Sequence, residues 1–463
     1  MSISTANFKN HLVILCKMCY LLSKDFFIMG GYTVKYESNW KSLDSRPVPQ
    51  WFQDAKFGIF IHWGLYSVPG YAKKGDYAEW YGWNMNDKDS ETWKFHERNY
   101  GVNFQYADFV KDFKADLFDA EEWVSLFKKA GAKYINLVSK HHDGYCMYPT
   151  EYAWNWNSFD LLPHRDFCAE LKAACDKTDV RFGVYHSVYE WFNPLCIKDP
   201  EQYALQHLHP MLKELIEKYQ PATLFTDGEW LYPSGVWHSE EFLQWLYNES
   251  SVKDFIVPND RWGMETRGVH GGNFTTEYGF VGNADEEKSA EEIQEIRYFE
   301  ECRGIGRSFG VNRIETTEDY MSAAELIELL VDLVAAGGNF LLNVGPNADG
   351  TIPVIMQERL EQMGDWLAVN GEGIYASRKL KKSKLEKVWY TQKDGKIYVF
   401  FAGFPFGEKT VDLDFDSAYK ARLLGCDAKV DIAAAEDGMK FIFPAINPDD
   451  MKSDYIYTVC LEK

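Results

Sequence analysis

The chain has 463 residues, with 49 Lys plus Arg against 70 Asp plus Glu and a net charge of −21. Apolar residues make up 46% and charged residues 26%, the balance of a globular rather than a disordered chain. That charge excludes a nucleic-acid surface, which needs clustered positive charge to displace counterions, and the length allows one large barrel or two to three domains.

Residues 1–30 read as an N-terminal extension or leader. Leu12 to Leu22 has the length of a signal h-region and follows Lys9, but Lys17 interrupts it and Ser23-Lys24-Asp25 is a poor cleavage context. Met29 is an alternative start. Cys16-Lys-Met-Cys19 is a lone C-x-x-C, too few ligands for a metal or redox site. The 9 cysteines are odd in number and irregularly spaced, which points to free thiols in a reducing compartment. The expectation is a cytoplasmic protein, with export the alternative if the leader acts. No run of 18 apolar residues is present, so no membrane-spanning helix is expected.

From Trp51 to about Tyr375, apolar runs alternate with amphipathic segments. Strands are predicted at Phe57 to Ile61, Tyr134 to Val138, Phe182 to Tyr185, Thr223 to Phe225, Phe255 to Val257 and Phe340 to Val344. They are apolar on both faces, as parallel strands covered by helices are. Asp119-Ala-Glu-Glu122 predicts a capping box and Gly131 the end of that helix. Ser322-Ala-Ala-Glu325 predicts another, and Gly337-Gly338 closes the helix that follows. Alternating strands and helices give a barrel or a doubly wound sheet. Arg378 to Lys387 is a basic run, read as a solvated linker. Beyond it, short strands separated by turns predict an antiparallel sandwich over 378–463.

Polar and aromatic residues follow the strands: His62-Trp63, Lys140-His141-His142-Asp143, His186-Ser187, Asp227-Gly-Glu-Trp230 and Asn259-Asp-Arg-Trp262. In a barrel or an open sheet, the carboxyl ends of strands make the site, so this pattern argues for an enzyme. Asp227 alone reads equally well as a helix cap. His141 and His142 on one extended segment would point to opposite sides, and no His-x-His or His-Glu-x-x-His pattern occurs. Gly304-Ile-Gly306 with Gly310 lacks the ending of a phosphate loop, and Asn347-Ala-Asp-Gly350 is a turn. What remains is carboxylates, histidines and aromatic faces, which suit a neutral, hydroxyl-rich ligand. The 16% aromatic content, with 16 tryptophans, fits sugar stacking; a large aromatic core fits it too.

At these residues the chain resembles the α-L-fucosidases of glycoside hydrolase family 29. The blocks are Trp51 to Gly64 with Tyr66-Ser-Val-Pro69, Glu79-Trp80-Tyr81, Lys140 to Gly144, Asn155-Trp-Asn157, Thr226 to Trp230, Gly337 to Pro346 and Asn370 to Tyr375. Asn259 to Gly263 with His270-Gly-Gly272 resembles the subfamily of relaxed aglycone choice. The resemblance implies an α/β fold, a (β/α)8-like barrel over 31–377 followed by a C-terminal antiparallel β-sandwich. It also implies retaining hydrolysis of terminal α-L-fucose. Asp227 is then the nucleophile and Glu300, in Phe299-Glu300-Glu301-Cys302, the acid/base, with Glu277 in reserve. His62, Glu79, Trp80, His141, His142, Tyr185 and Arg261 would hold the sugar. Phe309 with Trp80 would face its 6-methyl group. No cofactor or metal is expected; the expected partners are fucosylated glycans or small fucosides, and neither nucleic acid nor membrane. A galactoside hydrolase, a metal-dependent hydrolase built on His141, His142 and Asp227, and a non-catalytic fucose-binding protein are the competing readings.

Overall fold

The computed structural model describes residues 35–281, 288–289 and 298–463; the leader candidate, Cys16, Cys19 and Met29 lie outside them. Eight parallel strands form the first domain: β1 Phe57–Ile61, β2 Tyr134–Lys140, β3 Arg181–Ser187, β4 Thr223–Asp227, β5 Val257–Pro258, β6 Phe274–Glu277, β7 Phe299–Gly304 and β8 Asn339–Val344. Each is bonded to its sequence neighbour from β1 to β5, and β8 pairs with both β7 and β1. The circuit closes between β5 and β6, where the Asn273 N–H donates to the Pro258 carbonyl at 3.1 Å and the Gly272 N–H to the Asn259 carbonyl at 3.0 Å. This is a (β/α)8-like barrel, in which the carboxyl ends of all strands share one rim.

The predicted strands form, with shifts of a residue or two at their ends. Two were not predicted: β6 and β7 carry Thr275, Thr276, Glu277, Glu300 and Glu301, too polar to resemble buried strands. Helix Ala120–Lys129 is capped by Asp119, which accepts from the Glu121 and Glu122 N–H groups, without the reciprocal bond of a capping box. Helix Ala323–Ala336 has the full box from Ser322 and Glu325, and Gly337 ends it in the left-handed conformation at φ 106°.

Aromatic residues fill the barrel. Phe52, on the helix Gln50–Ala55 that precedes β1, packs with Tyr134 at one level; Phe60, Tyr185 and Phe225 form the next level toward the rim. Trp63 is buried outside the sheet among Phe113, Phe118, Trp123 and Phe167. Much of the aromatic content is therefore core.

The tail forms one antiparallel sheet in the order 378–379, 388–393, 396–402, 456–462, 420–423, 429–435, 438–443 and 407–411. It folds over a shared core that joins Val399, Phe401 and Val459 to Val411, Met439 and Phe441. Arg378 to Lys387 is not simply a solvated linker. Arg378 pairs with Asp54 at 2.6 Å, Lys381 with Asp412 at 2.9 Å and Lys387 with Glu328 at 2.9 Å. The sandwich is fastened to the barrel helices by Trp389 Nε1 on Asp332 (2.8 Å) and Trp366 Nε1 on the Ile456 carbonyl (2.8 Å).

Barrel closure needs glycine at 272, where a Cβ would lie 1.8 Å from the Pro258 carbonyl oxygen. Gly272→Ala should destabilise the protein by about 1–3 kcal/mol, the usual cost of overpacking. Gly235→Ala, at a helical glycine whose Cβ would meet no neighbouring element within 4 Å, is the control and should leave the urea midpoint unchanged or raise it slightly, never lower it.

Candidate active site

A cavity of about 530 Å³ opens at the carboxyl rim of the barrel. Asp227, the last residue of β4, sits in its wall. Its Oδ1 accepts from Arg261 Nη1 at 2.7 Å and Arg267 Nη2 at 3.0 Å, and its Oδ2 from the Tyr185 hydroxyl at 3.0 Å. Asp227 therefore caps no helix. The other terminal nitrogen of Arg261 meets Glu277 Oε2 at 3.2 Å, and the Tyr77 hydroxyl donates to Glu277 Oε1 at 3.4 Å. One guanidinium thus spans two carboxyl groups on opposite sides of the barrel closure. The Arg261 Nε bond to Thr275 Oγ1 at 3.1 Å fixes its plane, and Phe225 lies under it at 4.8 Å.

Burial pushes the Asp227 carboxyl upward, but Arg261 and Arg267 outweigh it and hold the group well below the usual carboxylate range. The histidines go the other way. Burial lowers His62 to about 3 and His142 to about 4, and His141 well below its ordinary value, so all three are neutral near pH 7. Burial also raises Glu79 to about 7, against hydrogen bonds from the Gly310 N–H (2.8 Å) and the Ser308 hydroxyl (3.3 Å). The cavity thus presents the firmly ionised Asp227, two guanidiniums, neutral imidazoles and aromatic faces. His141 Nδ1 is buried without a protein partner, a polar atom left for a ligand.

His62, Glu79, Trp80, His141, His142, Tyr185, Asp227, Arg261, Glu277 and Phe309 all line this cavity. The expectation that His141 and His142 diverge is corrected. β2 ends at Lys140, and the chain turns so that the Gly144 N–H bonds the His141 carbonyl at 3.1 Å. Both rings face the cavity, with centroids 4.2 Å apart. Phe309 and Trp80 fall in separate aromatic groups, Phe309 beside His62 at 4.9 Å and Trp80 stacked on Trp230 at 5.8 Å.

Glu300 is the residue that the structure does not bring in. In the β6–β7 register Glu277 is level with Cys302, and Glu300 is level with Thr275, two residues deeper. Cys302 lines the cavity, while Glu300 lies below it in the barrel interior, hydrogen-bonded by the Tyr134 hydroxyl. Burial raises Glu300 to about 7, a value that suits a general acid, but Glu300 is 2% exposed whereas the Glu277 side chain keeps 25%. Position outranks titration here, because an acid must reach the oxygen it protonates.

Arg267 and Glu229 were missed. Glu229 is buried on the segment after β4, and its Oε1 accepts from Arg267 Nε, so Arg267 links Glu229 to Asp227. The Thr226 to Trp230 block signalled Glu229; Arg267 lies in an irregular loop between the Asn259 to Gly263 and His270 to Gly272 blocks and belongs to neither. Tyr77, Trp230 and Tyr278 were also missed as lining residues. Among the described residues, no group of three His, Cys, Asp or Glu side chains is placed to hold a metal ion.

Cleaving a glycosidic bond takes two carboxyl groups flanking it, and Asp227 and Glu277 stand so placed at the rim of this barrel, which puts the chain among the glycoside hydrolases. Residues 31–372 match the family model "Alpha-L-fucosidase", and the chain belongs to that family. It is 40% identical to an alpha-L-fucosidase of Dictyostelium discoideum over 91% of this chain and 94% of that relative. It is also 40% identical to the tissue alpha-L-fucosidase of Rattus norvegicus, over 92% and 93%. Among solved structures, the Thermotoga maritima alpha-fucosidase in complex with fucose superposes with a TM-score of 0.78 at 33% identity, covering 92% of this chain and all of that one.

Arg267→Ala should shift the acidic limb of the kcat/KM–pH profile upward by about one unit or more. The two arginines favour the ionised form of Asp227, and that form is lost as pH falls through its pKa. Removing a cation raises that pKa and brings the loss in at higher pH. An unmoved limb would show that Arg267 does not govern Asp227.

Proposed function

We propose that this chain is a retaining exo-hydrolase of terminal α-L-fucosides, with Asp227 as nucleophile and Glu277 as acid/base. The observation that carries the assignment is the Arg261 guanidinium shared by Asp227 and Glu277 in the cavity wall. Asp227 attacks the anomeric carbon while Glu277 gives its proton to the leaving oxygen, forming a covalent fucosyl-enzyme. Glu277 then takes a proton from water, whose oxygen displaces Asp227 and releases fucose with its configuration retained. The substrates are fucosylated glycans and small fucosides, a reading supported by the Thermotoga maritima relative solved in complex with fucose.

Neutral His62, His141 and His142 with Glu79 offer donors and acceptors to the ring hydroxyls. Phe309 supplies an apolar wall for the 6-methyl group, where a galactose hydroxyl would lose its hydrogen bonds. The relaxed-specificity reading rests on the resemblance of Asn259 to Gly263 and His270-Gly-Gly272 to that subfamily. On that reading, different fucosyl linkages are cleaved at rates within about tenfold of one another, a spread of about 1.4 kcal/mol in barrier.

Asp227→Ala should abolish turnover of an aryl α-L-fucoside, and azide should restore part of it as the β-fucosyl azide. Glu277→Ala should slow leaving groups of high pKa by at least about a hundredfold while activated phenolates suffer far less. Glu300→Gln should show no such leaving-group dependence; if it does and Glu277→Ala does not, the acid is Glu300. Glu79 is the second reading, because it lines the cavity and is held near 7. The same leaving-group series on Glu79→Gln decides it. An aryl α-L-fucoside hydrolysed no faster than the matching galactoside would overturn the sugar assignment.

A further inference from the structure

A second cavity, of about 480 Å³, adjoins the first and shares two of its lining residues, Tyr77 and Tyr278. Their rings are near parallel, 18° apart, with centroids 6.4 Å from each other. Both belong to the Glu277 side of the site: the Tyr77 hydroxyl bonds Glu277, and Tyr278 follows it in sequence. Tyr278 is held in the left-handed region at φ 52°, a conformation that costs about 1 kcal/mol or more for a residue with a side chain. Its hydroxyl donates to the Arg307 carbonyl at 3.2 Å, and the Arg303 guanidinium lies 4.9 Å from its ring centre. The chain therefore keeps a strained tyrosine at the border of the two cavities and anchors it from both sides.

We propose that this second cavity is the leaving-group site, built for a neutral pyranose of the glycan that carries the fucose. The inference rests on the hydrolase reading above, with Glu277 as acid. A general acid must lie against the departing oxygen, so the leaving group is on the Glu277 side. The space that continues past that side, over Tyr77 and Tyr278, is this cavity. A third cavity, of about 300 Å³ against the sandwich, shares only Tyr278 with the active site. The lining fits a sugar. Tyrosine faces pack on C–H surfaces of a ring, while Arg303 and Arg307 offer donors and Glu318 offers acceptors to hydroxyls on both sides. Mixed charges with an aromatic platform suit a neutral polyol better than an anion or an apolar chain. Its volume falls in the range of small-molecule sites. An aryl leaving group is short enough to end on the tyrosine pair, so the site adds recognition for glycans without excluding simple aglycones.

The test compares kcat/KM for an α-L-fucosyl-galactose disaccharide with that for 4-nitrophenyl α-L-fucoside in wild type, Arg307→Ala and Glu318→Gln. Both positions are exposed, and Asp319, which pairs with Arg307 at 3.4 Å, keeps Lys74 at 2.9 Å. The disaccharide-to-aryl ratio should fall at least fivefold in each variant, mostly through KM. The aryl substrate serves as the internal measure of folded, competent enzyme. A ratio that stays within twofold of wild type in both variants overturns the leaving-group site and leaves the hydrolase reading standing. A wild-type enzyme that cleaves neither fucoside overturns both.

Discussion

The Arg261 guanidinium is the constraint around which the active site is organised. It is buried at the barrel closure and bonds Asp227 at the end of β4, Glu277 at the end of β6 and Thr275 below it. Three buried or half-buried carboxylates, Asp227, Glu229 and Glu277, meet two guanidiniums, Arg261 and Arg267. Removing one member of such a buried set costs about 3–5 kcal/mol, because the remaining charges stay desolvated and unpaired. The closure depends on the same region: β5 is two residues long, and Gly272 lets the chain pass against Pro258 before β6 begins. Asp227 and Glu277 share the Arg261 guanidinium because the barrel closes there.

The rest of the cavity follows from dehydration. Imidazoles and a carboxyl placed among Phe60, Phe225 and Phe309 lose water, and burial drives them toward their neutral forms. Asp227 is held charged by two arginines. Neutral imidazoles beside a charge-balanced cluster of carboxylates and guanidiniums are matched to a neutral sugar whose developing charge appears at the anomeric centre. The net charge of −21 has no part in this, since the wall of the cavity is locally balanced. Behind it, buried Lys140 pairs with Glu190, and the Trp191 N–H bonds the His142 carbonyl at 2.8 Å, which fixes the histidine loop.

How legible each part was depends on how far its chemistry departs from the average strand. β1, β2 and β8 are apolar on both faces and could be read directly. β6 and β7 could not, because Phe-Thr-Thr-Glu and Phe-Glu-Glu-Cys-Arg-Gly place polar groups where buried strands usually carry Val or Leu. Those two strands hold Glu277, Glu300 and Glu301, so the depth of each carboxyl group is not written in a local pattern. The histidine pair was misread for a related reason: alternation applies within a strand, and β2 stops one residue before it.

By itself the sequence determined the alternation of strands and helices, the sandwich-like tail, and the gathering of polar and aromatic residues after strands. It also carried the family blocks around Asp227. These are local or periodic features, and local physics writes them into neighbouring residues. Only the tertiary structure decided depth and partnership. The β6–β7 register raises Glu277 to the cavity and leaves Glu300 one layer below, a difference of two positions along strands that pattern did not reveal. Arg267 reaches Asp227 across 40 positions of sequence, and Tyr77 reaches Glu277 across 200. Such contacts depend on where the barrel closes, and no window of sequence contains that information.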